Sequence, residues 1–222
     1  MAADARWSAG ALLVVALLLG APATALGLGE HGRRAGAELV VLQGDLERLR
    51  RESLPAPWRR GLEARIRGSL ALLPLLLRLA DQERGRPPLV VTSAGLTGLL
   101  ERQGPATLEA RLDDLAARYP FPATGILPAV ATPRRLATAR RLHRELCAGC
   151  HAGAEPPEGI ERPALDLFRL ARSMSPREFA ARLVTGVRGD AVTGIDNPFT
   201  DEELAALVAY YRGTPPSPAD RQ

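Results

Sequence analysis

Cys147-Ala148-Gly149-Cys150-His151 holds both cysteines of this 222-residue chain and one of its three histidines. Two thiols at this spacing stand about one helical turn apart, close enough to add to the two vinyl groups on one edge of a porphyrin. The histidine directly after them is then carried beneath the iron as its proximal ligand. C-x-x-C-H is the attachment signature of covalently bound haem c, so Cys147 and Cys150 are the candidate attachment residues and His151 the candidate axial ligand. The other uses of two thiols are a thioredoxin-like redox pair or a structural disulfide. The redox pair needs a βαβ setting that the surrounding sequence does not offer. A zinc set would need a second cysteine pair, and the chain has none.

Covalent haem of this kind is attached outside the bacterial cytoplasm, and the N-terminus carries a matching export pattern. Arg6 supplies a positive start, Ala11 to Leu19 an apolar core, and Ala23-Thr24-Ala25 a small-x-small cleavage site. Residues 1–25 are therefore expected to be a cleaved signal peptide, and the mature protein is expected in the periplasm. The apolar stretch is short for an uncleaved anchor, so no membrane span is expected after cleavage.

Lysine is absent, so the 29 cationic side chains are all arginine; they are interspersed with 25 acidic ones for a net charge of +4. No basic run interleaves with aromatic residues, as a nucleic-acid surface requires. A basic surface still suits an acidic redox partner. Paired carboxylates, a nucleophile elbow and a phosphate-binding loop are all missing from the sequence, which argues against a conventional hydrolase or transferase.

The elements that must position the motif read as helices throughout. Leu39, Leu42, Leu46 and Leu49 recur at spacings of three and four with charged residues between them. After Pro55 and Pro57, a second stripe runs through Trp58, Leu62, Ile66, Leu70, Leu73 and Leu77. Leu72, Leu75, Leu76 and Leu79 add a second apolar face, so this helix is expected to be central, with Pro74 a candidate kink. A short helix around Leu96–Glu101 and another opening at Gly104-Pro105, with Leu108, Leu112 and Leu115 in register, complete a small bundle. A proline-rich stretch from Tyr119 to Pro133 marks the expected boundary. Beyond it, Thr132-Pro133 caps a helix that runs through Leu136, Ala139, Leu142 and Leu146 into Cys147. A short helix is expected over 164–172. Ser175-Pro176-Arg177-Glu178 and Thr200-Asp201-Glu202-Glu203 read as capping boxes that open two more helices. No segment alternates as a strand, so the fold class is all-α.

A helix entering C-x-x-C-H, a middle helical segment, and a final Thr200-to-Gly213 helix together resemble a class I c-type cytochrome domain. The resemblance covers roughly Thr132 to Gly213. With the export pattern and the proline-rich boundary, the expected organisation is 1–25 signal peptide, 26–131 small helical bundle of unassigned role, and 132–222 cytochrome c-like helical domain. The resemblance implies that the first and last helices cross, with Tyr210 or Tyr211 meeting Ala139 or His143. It also implies His151 as the proximal ligand and a methionine on the distal side. The family carries that methionine in the loop before the last helix. Here the loop, 186–199, holds neither Met nor His, and Ile195 stands near the expected place. The one methionine left after signal removal is Met174. It is the candidate distal ligand, since a thioether is a soft sixth ligand that raises the reduction potential. It also has a plain packing role: it precedes the Ser175 cap with Phe179 five residues on, the arrangement of a hydrophobic staple. His143, among mostly polar neighbours, reads as a partly exposed surface or packing residue, and His31 as part of an unordered terminus.

Two functions follow. One is a periplasmic mono-haem c-type cytochrome that carries single electrons between redox proteins, including a larger dehydrogenase or oxidase on which the helical half docks. Such a protein is a carrier more than a catalyst. The other is a haem c protein with an open distal site, acting as a ligand sensor or a peroxidase-like enzyme.

Overall fold

The computed structural model describes residues 29–51, 53–151, 166–186 and 197–213. The expected signal peptide, the prolines after the C-x-x-C-H motif and the loop around Ile195 lie outside the described residues.

The fold is all-α: every regular element among the described residues is helical, and the one β-feature is an isolated bridge between Thr124 and Leu127. No described helix is long and apolar enough to cross a membrane.

Helix α1 (Glu30–Arg51) starts nine residues before the leucine stripe that announces it. Its first turn is secured by Glu83, whose carboxylate accepts the backbone N–H groups of His31 at 3.0 Å and Gly32 at 2.9 Å. These are donors that a helix start otherwise leaves unsatisfied. His31 is thus an ordered helical residue rather than part of a loose terminus. Helix α2 (Ala56–Glu83) retains Pro74 in its interior and buries Ile66, Leu70, Leu73, Leu76 and Leu77 completely. Helices α3 (Ser93–Gln103) and α4 (Pro105–Arg118) close this bundle, with α1 packed on both α2 and α4.

The C-terminal elements follow. Helix α5 (Pro133–Leu142) passes without a break into a π-helical segment, His143–Cys147, and then into α6 (Ala148–His151). Helices α7 (Leu167–Arg172), α8 (Pro176–Thr185) and α9 (Asp201–Arg212) follow. The main packing here is α5 against α9, with α7 and α8 leaning on α9.

The hydrophobic packing does not divide at residue 131. One stripe of α1 (Ala35, Leu39, Leu42, Leu46) fills the N-terminal cluster. Another (Ala37 and Val41) belongs to the C-terminal cluster, together with Phe121 and Ile126. Helix α1 lies along α8 as well as α2. Gly36 is required where α1 meets the connector: a Cβ there would sit 2.7 Å from the Pro120 carbonyl oxygen and 2.8 Å from the Phe121 backbone.

Charge joins the same faces. Asp45 on α1 is completely buried. Its carboxylate accepts from Arg65 Nε and Nη2, both at 2.6 Å, from Arg48 Nη1 at 3.0 Å, and from Arg182 of α8. Burial works against ionisation, but the charges of Arg182 and Arg65 outweigh it and hold Asp45 below the ordinary carboxylate range.

The two expected capping boxes differ in outcome. At α9, Thr200 accepts from the Glu203 N–H while the Glu203 carboxylate accepts from the Thr200 N–H at 2.9 Å, so the box is closed. At α8, Ser175 accepts from the Glu178 N–H at 3.1 Å. The Glu178 carboxylate, however, is taken by Arg48 and Arg182 instead. This corrects the expected box at Ser175 to a simple cap. A charged partner from another helix offers a stronger bond than the neighbouring backbone does.

Candidate functional site

The C-x-x-C-H motif sits at the end of a helix that is anchored before it arrives. Thr132 accepts from the Arg135 N–H at 3.2 Å and starts α5. Arg135 then forks onto Glu202 of α9, at 2.8 and 2.6 Å. Ala139 is completely buried, and α5 lies against α9, whose Ala205, Ala206 and Ala209 are all buried. Small side chains let two helices approach closely, and interhelical distance follows the size of the contacting residues.

Where α5 reaches the motif, its ladder widens. The Ala148 N–H bonds the carbonyl of His143, five residues back. Single π-helical turns of this kind recur at functional sites. The wide turn sets His143 and Cys147 on one face, turned inward, while Leu146 between them is 62% exposed. Cys147 is half-buried and packs on the C-terminal cluster. His151 is half-buried on the following turn, one i, i+4 step from Cys147. Cys150 lies between them on α6.

His143 is 2% exposed, which corrects the expectation of a partly exposed residue. It lies edge-on to Phe168 at 5.7 Å and to Tyr211 at 5.6 Å between ring centres, and 5.9 Å from Tyr210. Phe168 is in turn edge-on to Tyr211 at 4.9 Å, and Phe179 to Tyr211 at 5.8 Å. Edge-to-face contacts at these separations add to plain apolar burial. The signal for burial was in the sequence, since His143 lies four residues after Ala139 on the apolar stripe. Its charged neighbours Arg141, Arg144 and Glu145 obscured that signal.

Helices α5 and α9 pack against each other, and the expected meeting of Tyr210 or Tyr211 with Ala139 or His143 falls to Tyr211 and His143. Tyr211 of α9 places its hydroxyl 2.8 Å from His143 Nδ1. The same hydroxyl is hydrogen-bonded to the Cys147 side chain, and burial first, then Cys147, pushes the phenol well above its ordinary range. A polar chain from imidazole through phenol to thiol therefore runs inside an otherwise apolar crossing.

Met174 is 8% exposed and belongs to the same cluster as Tyr211 and Phe179. Its carbonyl accepts from Arg212 Nη1 at 2.9 Å, and the Ala171 carbonyl accepts from the same nitrogen, so the α7–α8 turn is tied to the end of α9. The fixed turn carries the thioether into the C-terminal core.

Cys147, Cys150 and His151 share one continuous helical segment, and Met174 lies in the C-terminal cluster on which Cys147 packs. Among the described residues no three His, Cys, Asp or Glu side chains converge as a metal set of their own. No family model matches the chain, and neither a curated protein nor a solved structure does.

Proposed function

We propose that the chain is an exported mono-haem c-type cytochrome that passes single electrons between redox proteins in the periplasm. The observation that carries this reading is the placement of C-x-x-C-H. Its first thiol packs on a rigid α5–α9 crossing, and its histidine follows one turn later. When bound, haem c supplies a one-electron iron couple whose potential is tuned by axial ligands and burial. The chain's own residues do the rest. Cys147 and Cys150 would tether one porphyrin edge, and His151 and Met174 would be its iron ligands. The aromatic packing around His143 keeps the tether from shifting. Arg134, Arg141 and Arg144 are exposed along the helix that carries the motif. They give that side a positive field that suits an acidic partner, and a larger dehydrogenase or oxidase is the class of protein expected there.

The second reading is an open distal site that binds a small ligand, as in a sensor or a peroxidase-like enzyme. It is favoured by residues 186–199, which lack both Met and His. An absorption spectrum of the purified holoprotein in both oxidation states separates the two. A low-spin spectrum with a methionine–iron charge-transfer band supports the carrier. A high-spin spectrum with rapid carbon monoxide binding rejects the carrier in favour of the open site.

A further inference from the structure

We infer that Tyr211 and His143 are positioning residues for thioether formation at Cys147: the Tyr211 hydroxyl holds the Cys147 sulfur, and His143 holds Tyr211. The inference rests on the haem-attachment reading and deepens it.

The step itself is redox-neutral. The Cys147 S–H bond breaks, its sulfur bonds one carbon of a haem vinyl group, the proton ends on the other vinyl carbon, and the C=C bond becomes single. Two thiols on one short segment can also reach the wrong vinyl group or each other. Reaction of a bound group depends on near-attack placement to within about 1 Å, so fixing one sulfur fixes the register of the pair.

The geometry supplies that restraint from three elements. The π-helical turn carries His143 and Cys147 on one inward face. Tyr211 comes from α9, completely buried, with its hydroxyl 2.8 Å from His143 Nδ1 and hydrogen-bonded to Cys147. Phe168 from α7 packs edge-on against both the His143 and Tyr211 rings, at 5.7 and 4.9 Å, and prevents either from turning away. If the imidazole Nδ1–H donates to the phenol oxygen, the phenol O–H is left to point at sulfur. A phenol pushed upward by burial keeps that proton.

The test is mass-spectrometric mapping of the thioether at each cysteine in the full chain, exported together with haem-attachment machinery. Tyr211→Phe keeps the ring and removes the hydroxyl. The ratio of Cys147 to Cys150 thioether should fall by about three- to tenfold, the range covered by one lost hydrogen bond. His143→Leu should shift the ratio the same way. His143→Asn, whose amide reaches the Nδ1 position, should restore most of it. Tyr119→Phe is the control for a purely structural loss. It removes a buried hydroxyl bonded to Asp81 at 2.6 Å in the N-terminal cluster, so any loss it causes should fall equally on both cysteines. A Tyr211→Phe chain with the wild-type ratio, or with parallel loss at both cysteines, overturns the positioning role and leaves the haem reading standing. A wild-type chain with no thioether at either cysteine overturns both.

Discussion

The two hydrophobic clusters of this protein are built from different side chains. The N-terminal cluster is almost entirely leucine and isoleucine, and Tyr119 is the one aromatic among its buried members. The C-terminal cluster mixes alanine with Phe121, Phe168, Phe179, Tyr210 and Tyr211. An aliphatic core excludes water and sets helix spacing, and it tolerates exchange of one apolar side chain for another; the Tyr119 hydroxyl within it is taken by the Asp81 carboxylate at 2.6 Å. The alanine-and-aromatic core does something else. It brings α5 and α9 close together and still carries a hydroxyl and an imidazole inside, each with a fixed partner. The motif lies at the end of the second cluster, and the first serves as its platform through α1.

Separating the two regions should have the largest effect. Cutting the chain before Thr132 removes Ala37, Val41, Phe121 and Ile126 from the C-terminal cluster. It also removes the α1 partners of Arg182, Thr185 and Asp201, namely Asp45, Arg34 and Arg33. The fragment 132–222 should retain helical signal in circular dichroism but lose the cooperative thermal transition of the whole chain. A sharp transition at the wild-type temperature would mean that the platform is dispensable.

The next effect lies in the seam. Asp45→Asn leaves Arg182, its side chain 12% exposed, without its main countercharge. Breaking a buried pair by removing one partner costs about 3–5 kcal/mol. Asp45 and Asp81 both have depressed carboxylate values. At Asp81 burial is outweighed by the Tyr119 hydroxyl and the Leu89 N–H. A depressed folded-state value means that the unfolded chain binds more protons in acid. The stability from these groups is therefore fully present above about pH 4 and is lost as pH falls through their lowered values. Chemical denaturation across that window should show the wild type weakening toward acid and Asp45→Asn weakening less steeply. Equal slopes would mean that the seam is held by apolar contact alone.

Much of this arrangement was legible in the sequence. Leucine spacing showed α1, α2 and α4, and Thr132, Ser175 and Thr200 marked three helix starts, because caps and periodicity are local. What escaped was non-local. The Ala37 and Val41 stripe of α1 is too small and too short to register beside the leucines, so α1 seemed to belong to one half. Glu178 reads as half of a box because one of the arginines that take its carboxylate, Arg48 on α1, is 130 residues away. His143 reads as partly exposed because the residues that bury it, Phe168, Tyr210 and Tyr211, come from other helices. The C-x-x-C-H motif itself was plain, since all of its members are contiguous.

The smallest stability effect is expected at Met174. Met174→Leu conserves volume in the C-terminal cluster and should cost under about 1.5 kcal/mol in a thermal melt. The same variant separates packing from ligation. A distal ligand lost to leucine removes the methionine–iron charge-transfer band and lowers the potential, whereas a staple replaced by leucine leaves the spectrum as it was.

The most direct measurement of the central claim is acid–acetone extraction of the exported, purified chain, followed by intact-mass determination. Haem that stays with the polypeptide, with mass added through Cys147 and Cys150, is the predicted result. Haem that passes into the organic phase, or a chain whose mass is that of the polypeptide alone, would contradict it.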